Sequence, residues 1–289
     1  MNRKYLYAVK GIGIGFFLWF FLTADRASVA GALTMASPTK LVLAFLLFPL
    51  IYGLKSLRWQ KLAQTVGLQL SFWEAAEMYC AALFAGILTP GKVGEAIKIP
   101  LLKAHNLPVK QGILITIADR ALDAVLLGFL AVCGLFVLRQ LPLAPEFMFL
   151  CVALGIVLAW TQKRRLKQET HWNDLRTLLG THTVQIVVLT VLNWCVYFLQ
   201  LYWIAQALSL EIPLIEFISI MTIVGIVSLL PVAPAGLGTR EATLLFFFAA
   251  YNIPAHKILA FSYTIFALTV AAAVSIGGYC WLKLPLHHS

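Results

Sequence analysis

Eight apolar segments run the length of this 289-residue chain, at about residues 7–22, 40–57, 72–89, 111–138, 146–162, 183–206, 213–231 and 256–283. At about 1.5 Å of rise per residue, most can cross the roughly 30 Å hydrocarbon core of a bilayer as a helix. A strand reading fails, because no period-2 alternation runs through them. Apolar residues make up 61% of the chain and charged residues 12%, too little charge to clothe a soluble surface. The fold class is therefore an all-α integral membrane protein.

Two segments, 72–89 and 213–231, end in a Pro/Gly break followed at once by a short, charged, helix-like piece. The first break reads Pro90-Gly91-Lys92-Val93-Gly94-Glu95-Ala96, the second Pro234-Ala235-Gly236-Leu237-Gly238-Thr239-Arg240-Glu241-Ala242. Pro90 and Pro234 lie 144 positions apart, half the chain. The same shift lays 7–22, 40–57 and 111–138 onto later apolar segments, the mark of an internal repeat. If 72–104 and 213–250 enter and leave on one side, each half has three crossings, and the halves must be inverted. The expected architecture is a single membrane domain, 1–289, of about six transmembrane helices plus two re-entrant helical hairpins. It divides into inverted-topology repeats at 1–140 and 146–285. Eight plain spans are the rival topology.

The net charge is +10, from 22 Lys and Arg against 12 Asp and Glu. No basic solvated domain exists to bind nucleic acid. With the N-terminus inside, 14 of the 22 cations fall at cytoplasmic positions, Lys55, Arg58, Lys61 and the Lys163–Lys167 run among them, and 4 fall outside. That bias predicts a multi-pass protein of the cytoplasmic membrane with a cytoplasmic N-terminus. Arg3, Lys4 and Lys10 before an apolar stretch, then Ala27-Ser28-Val29-Ala30, also fit a cleaved signal peptide. Cleavage would delete one repeat element, so an uncleaved first helix is expected.

The remaining four cations sit at membrane depth, where charge is costly and marks a pathway or a ligand partner. Lys92, Glu95 and Lys98 are spaced i, i+3, i+6 and share one helical face. A half-helix N-terminus pointing into the membrane offers unpaired N–H groups and a positive dipole end, and Gly91 and Gly94 admit close approach. With the two lysines this suits an anion such as phosphate. Arg240 and Glu241, after Gly236 and Gly238, repeat the arrangement from the other face, with Arg240 able to grip a phosphate bidentately. Asp119, Arg120 and Asp123 lie in the first third of the 111–138 helix, the two aspartates at i, i+4 on one face. They can balance Lys92, Lys98 or Arg240, or carry a proton. Purely structural ion pairs remain open for all three groups.

Gly86 to Val93 imitates a nucleotide-binding P-loop, yet Val93 stands where Mg²⁺ needs Ser or Thr, and the loop follows an apolar helix. No metal-spaced His/Cys/Asp cluster and no nucleophile elbow occurs in the sequence. The five cysteines sit singly in apolar segments, as small hydrophobes do. No cofactor, metal or catalytic residue is expected.

Three stretches carry a resemblance: Leu88-Thr89-Pro90-Gly91-Lys92-Val93-Gly94-Glu95, Ala118-Asp119-Arg120-Ala121-Leu122-Asp123, and Pro234 through Ala242. In order and placement the chain resembles the flippase-like membrane family that includes the membrane region of lysylphosphatidylglycerol synthases. Lys92 and Lys98 stand where arginine is common in similar proteins. The resemblance implies handling or moving lipids across a membrane, with related members in glycolipid or hopanoid pathways. The chain ends at Ser289, soon after the last apolar segment, so lysyl transfer by a soluble domain is not expected of these residues.

The expected function is translocation of an anionic phospholipid or lipid-linked glycan, passive or ion-coupled, with membrane lipids as partners. Two rivals remain: an intramembrane enzyme on lipid-linked substrates, and an accessory subunit in envelope or glycolipid biosynthesis that recruits a soluble enzyme. Homo-oligomerisation is open.

Overall fold

The computed structural model describes residues 26–138, 182–229 and 238–284, with backbone alone at 26, 28, 29, 88, 90–93 and 229. The segments expected at 7–22 and 146–162, the Lys163–Lys167 run, and the breaks at Pro234 and Gly236 lie outside the described residues. So does the question of the first helix.

The described residues form helices joined by short turns, and four helices are long and apolar enough to cross a membrane: Pro38–Thr65, Val109–Val137, Thr183–Ala207 and Ala255–Lys283. A short α1, Arg26–Thr34, precedes them. The first span is two helices in line, α2 (Pro38–Leu46) and α3 (Phe48–Thr65). Pro49 lacks the N–H that would bond back to Phe45, which divides them. Gly67, at φ +83°, ends α3 in a left-handed turn that glycine adopts without strain. Ser71 then opens α4 (Phe72–Leu88) with a capping box: its hydroxyl accepts from Glu74 N–H at 3.2 Å, and Glu74 accepts from Ser71 N–H at 2.7 Å.

At Thr89 the chain turns extended, the conformation forced on a residue before proline. Pro90–Ile97 is a tight 3₁₀ turn leading into α5 (Lys98–Ala104). The return runs antiparallel to α4, because Glu95 meets Gly86 and Lys98 covers the Tyr79 ring at 3.6 Å. Two glycines permit the approach. A Cβ on Gly94 would sit 2.1 Å from the Ala85 carbonyl oxygen, and one on Gly86 2.6 Å from Glu95 Cγ. α6 (Val109–Val137) follows as a full span.

The later described residues form a span, a shorter helix, a returning helix and a last span. α7 (Thr183–Ala207) is a span, and α8 (Leu214–Leu229) is a shorter apolar helix. α9 (Thr239–Phe248) doubles back on α8, with Phe217 near the start of one and Phe248 at the end of the other, ring centroids 6.4 Å apart. The last span is α10 (Ala255–Ala272), a π turn at Ala273–Gly277, and α11 (Gly278–Lys283).

The two parts interlock. α8 lies against α6, where a Cβ on Gly134 would meet Ser219 at 2.9 Å. α4 lies against the π turn, where a Cβ on Gly277 would meet the Cys80 carbonyl oxygen at 2.6 Å. α7 runs antiparallel to the first span: Gln200 Nε2 donates to Ala44 O at 2.8 Å at one end, and Arg58 Nη1 donates to Thr190 Oγ1 at 3.3 Å at the other.

Candidate functional site

The doubling back of α4 and α8 brings their charged tips inward. Glu95, Lys98, Asp119, Asp123, Arg240 and Glu241 are all at most 8% exposed. A cavity of about 240 Å³ opens among α3, α4, α6, α7, α8, α9 and α10. Glu95, Arg120, Asp123 and Arg240 line it, together with Lys55, Asn193 and Trp194. Both turns therefore contribute to one chamber.

Each tip glutamate is anchored to the long helix that follows it. Glu95 pairs with Arg120 on α6. Glu241 accepts from Ser262 Oγ on α10 at 2.5 Å, and Arg240 Nε donates to the same hydroxyl at 2.7 Å. Arg240 Nη2 closes the triangle on Glu241 at 3.0 Å. Glu241 also accepts from Gly238 N–H at 2.5 Å, and Gly238 holds φ +83° to allow it.

That last bond corrects an expectation. The sequence suggests free helix-end N–H groups waiting for an anion, yet Glu241 occupies the Gly238 N–H and Thr89 Oγ1 accepts from Gly94 N–H at 2.6 Å. Buried N–H groups take the nearest acceptor, here an internal one. The first half-helix also starts as 3₁₀ and becomes α only at Lys98.

The larger correction concerns Arg58. Counted from sequence among the cytoplasmic cations, it is fully buried, because α3 continues eight residues beyond the expected end at 57. Its guanidinium grips Asp123 in a fork, Nη1 to Oδ1 at 2.6 Å and Nη2 to Oδ2 at 3.1 Å, and Nη2 reaches Asp119 Oδ1 at 2.7 Å. Such bidentate pairing is the strong form of the ion pair. Asp123 is completed by Trp194 Nε1 at 3.0 Å, and Asp119 by Tyr79 OH at 3.4 Å. Lys98 reaches Asp119 Oδ2 at 3.5 Å and lies between the rings of Tyr79 and Trp59, a cation–π seat away from the cavity. Lys92 is described in its backbone only.

A protein this apolar, with a cluster of mutually anchored charges around an interior chamber, is open to comparison with known membrane proteins. The pattern that defines the lysylphosphatidylglycerol synthase TM region matches residues 7–277. The chain belongs to this family. It is also 23% identical to a UPF0104 membrane protein of Methanocaldococcus jannaschii, covering 75% of this chain and 76% of that one. A UPF0104 membrane protein of Methanothermobacter thermautotrophicus is 23% identical as well, with 86% and 83% covered. Membership makes the chain a multi-pass membrane protein.

Of the residues singled out from sequence, Glu95, Arg120, Asp123 and Arg240 line the cavity, Asp119 and Glu241 are buried behind it as partners of Arg58 and Arg240, Lys98 lies off it on Asp119, and Lys92 is described in its backbone only. Lys55, Arg58, Tyr79, Trp194 and Ser262 were passed over. A signal for Arg58 existed: two aspartates one turn apart in an apolar helix require a buried cation. Asn193 lines the cavity, whereas Gln200 is spent on the Ala44 carbonyl.

Proposed function

We propose that this chain is a lipid translocator of the cytoplasmic membrane, with the N-terminus cytoplasmic and an anionic headgroup carried through the chamber while acyl chains stay in lipid. The observation that carries the reading is a cavity lined from both doubled-back pieces, by Glu95 on one side and Arg240 on the other. Sites between broken half-helices of inverted repeats are how many secondary transporters hold cargo. The turns at Pro90 and before Gly238 then read as re-entrant hairpins, and residues 1–140 and 146–285 as the inverted halves. The antiparallel run of α7 and the first span supports that inversion, since these two are equivalent under the 144-residue shift. So does the reciprocal packing of each hairpin on the last span of the other half.

A general base in an intramembrane enzyme would need a free carboxylate. Asp123 already takes three donors and Glu241 three, which favours carriage over proton abstraction. The test is a leaflet-resolved assay of labelled phospholipids in proteoliposomes, comparing wild type with Glu95→Gln/Arg240→Gln. Translocation by the wild type, abolished in the folded double variant, is expected. Equal translocation by both would refute this site.

A further inference from the structure

Among the described side chains, the charges of the chamber do not cancel. Among the described residues Arg58 and Lys98 answer Asp119 and Asp123, Arg120 answers Glu95, and Arg240 answers Glu241. Lys55 is left over. It lines the cavity from α3, is half-buried, and has no ion pair among the described residues. Asp123, the acid of the same wall, has both oxygens occupied by Arg58 and Trp194. Asp123 attracts Lys55, yet that carboxylate is already held by Arg58, so among the described side chains one cation of this wall has no acid of its own, and an anion from elsewhere would complete it.

A second group points the same way. Asn193, 2% exposed, lines the cavity with its amide oxygen bonded to nothing among the described residues. Buried amides are nearly always partnered, and an orphan beside a cavity indicates a ligand group that supplies the missing bond. The volume limits that ligand. About 240 Å³ falls below the roughly 300–1,000 Å³ of pockets for drug-sized molecules. A compact headgroup fits, whereas an oligosaccharide does not.

We propose that Lys55 and Asn193 anchor the cargo headgroup, and that the cargo is an anionic lipid, a phosphodiester. Lysine suits this as a point-charge phosphate binder, and the Asn193 amide supplies the hydrogen bond to a headgroup hydroxyl. The proposal rests on the translocator reading for its cargo but on Lys55 and Asn193 for its site.

The experiment titrates the purified full chain in detergent with dihexanoyl phosphatidylglycerol, by calorimetry. Lys55→Gln weakens binding about tenfold, the weight of one charge-assisted hydrogen bond, and Lys55→Arg restores it. Asn193→Leu weakens it severalfold. Dihexanoyl phosphatidylcholine, with no net charge, binds the wild type at least about tenfold more weakly. Unchanged affinity in Lys55→Gln, or equal binding of the choline lipid, overturns the proposal. Glycerophosphoglycerol binding as tightly as the lipid overturns a lipid cargo. Lys55-dependent binding without translocation by the wild type removes the translocator and leaves the site. Translocation untouched in Lys55→Gln removes the site and leaves the translocator.

Discussion

Replacing Arg58 with methionine separates a buried counter-ion from a loop cation. Were Arg58 a solvated residue at the membrane surface, its loss would cost about 0–1 kcal/mol. The geometry demands more. Arg58 is fully buried and is the cation within 4 Å of Asp123. Without it Asp119 keeps Lys98 at 3.5 Å, but Asp123 keeps the neutral indole of Trp194 and the unbonded charge of Lys55. One buried carboxylate thus loses its hydrogen-bonded counter-ion, at roughly 3–5 kcal/mol. With about 2–4 °C per kcal/mol for a chain of this size, the melting temperature in detergent falls on the order of 10 °C. Arg58→Lys retains the charge and loses the fork, so it falls between. Asp123→Asn added to Arg58→Met removes that carboxylate's charge and recovers most of the loss, a coupling that a double-mutant cycle reads directly. A melting temperature for Arg58→Met within about 2 °C of wild type, with no coupling to Asp123, would refute the buried-pair assignment.

Gly94→Ala drives a methyl into the Ala85 carbonyl and lowers the melting temperature by several degrees, an overpacking cost of about 1–3 kcal/mol or more. Gly128→Ala, whose Cβ meets nothing within 4 Å on α6, holds or raises it, as alanine exceeds glycine in helix propensity by up to ~1 kcal/mol. Ser262→Ala removes the hydroxyl shared by Glu241 and Arg240 and costs about 1–3 kcal/mol in the same melting assay.

The spans were legible because apolar runs end where helices do. The structure begins and ends α6, α7 and the last span within a few residues of 111–138, 183–206 and 256–283. The reversal after α4 was legible as well, since Pro90 cannot continue that helix and Gly94 lets the return pass close to it. Reading failed where charge had to be assigned a neighbour. Lys55, Arg58 and Lys61 at the end of an apolar run look like a membrane flank, and hydropathy cannot tell a solvated arginine from one that meets aspartates 61 and 65 residues later. The helix-end donors failed for a related reason: that Glu241 would cap its own turn is a matter of fold-back geometry. The spacing of Gly238 and Glu241, three apart, was the available cue.

The placement of the ion pairs bears on how the halves would move. On the proposed division, the ion pairs of Arg58, Lys98 and Arg120 lie with acids of the first half, and that of Arg240 with Glu241 in the second. Contacts across the halves are of another kind. Lys40 donates to the Gln206 carbonyl at 3.3 Å, Arg58 to Thr190, Trp194 to Asp123 and Gln200 to Ala44. Parting these costs a net ~0.5–1.5 kcal/mol each, and somewhat more where a charge takes part. Tearing one buried ion pair would cost roughly 3–5 kcal/mol. On the proposed mechanism this division matters. Rocking one half against the other would break a few hydrogen bonds whose ends water in the opening chamber can satisfy. The charges held at membrane depth would travel with their partners. On that proposal the ionic network is the rigid part of each proposed half, and the seam between them is left to weaker bonds.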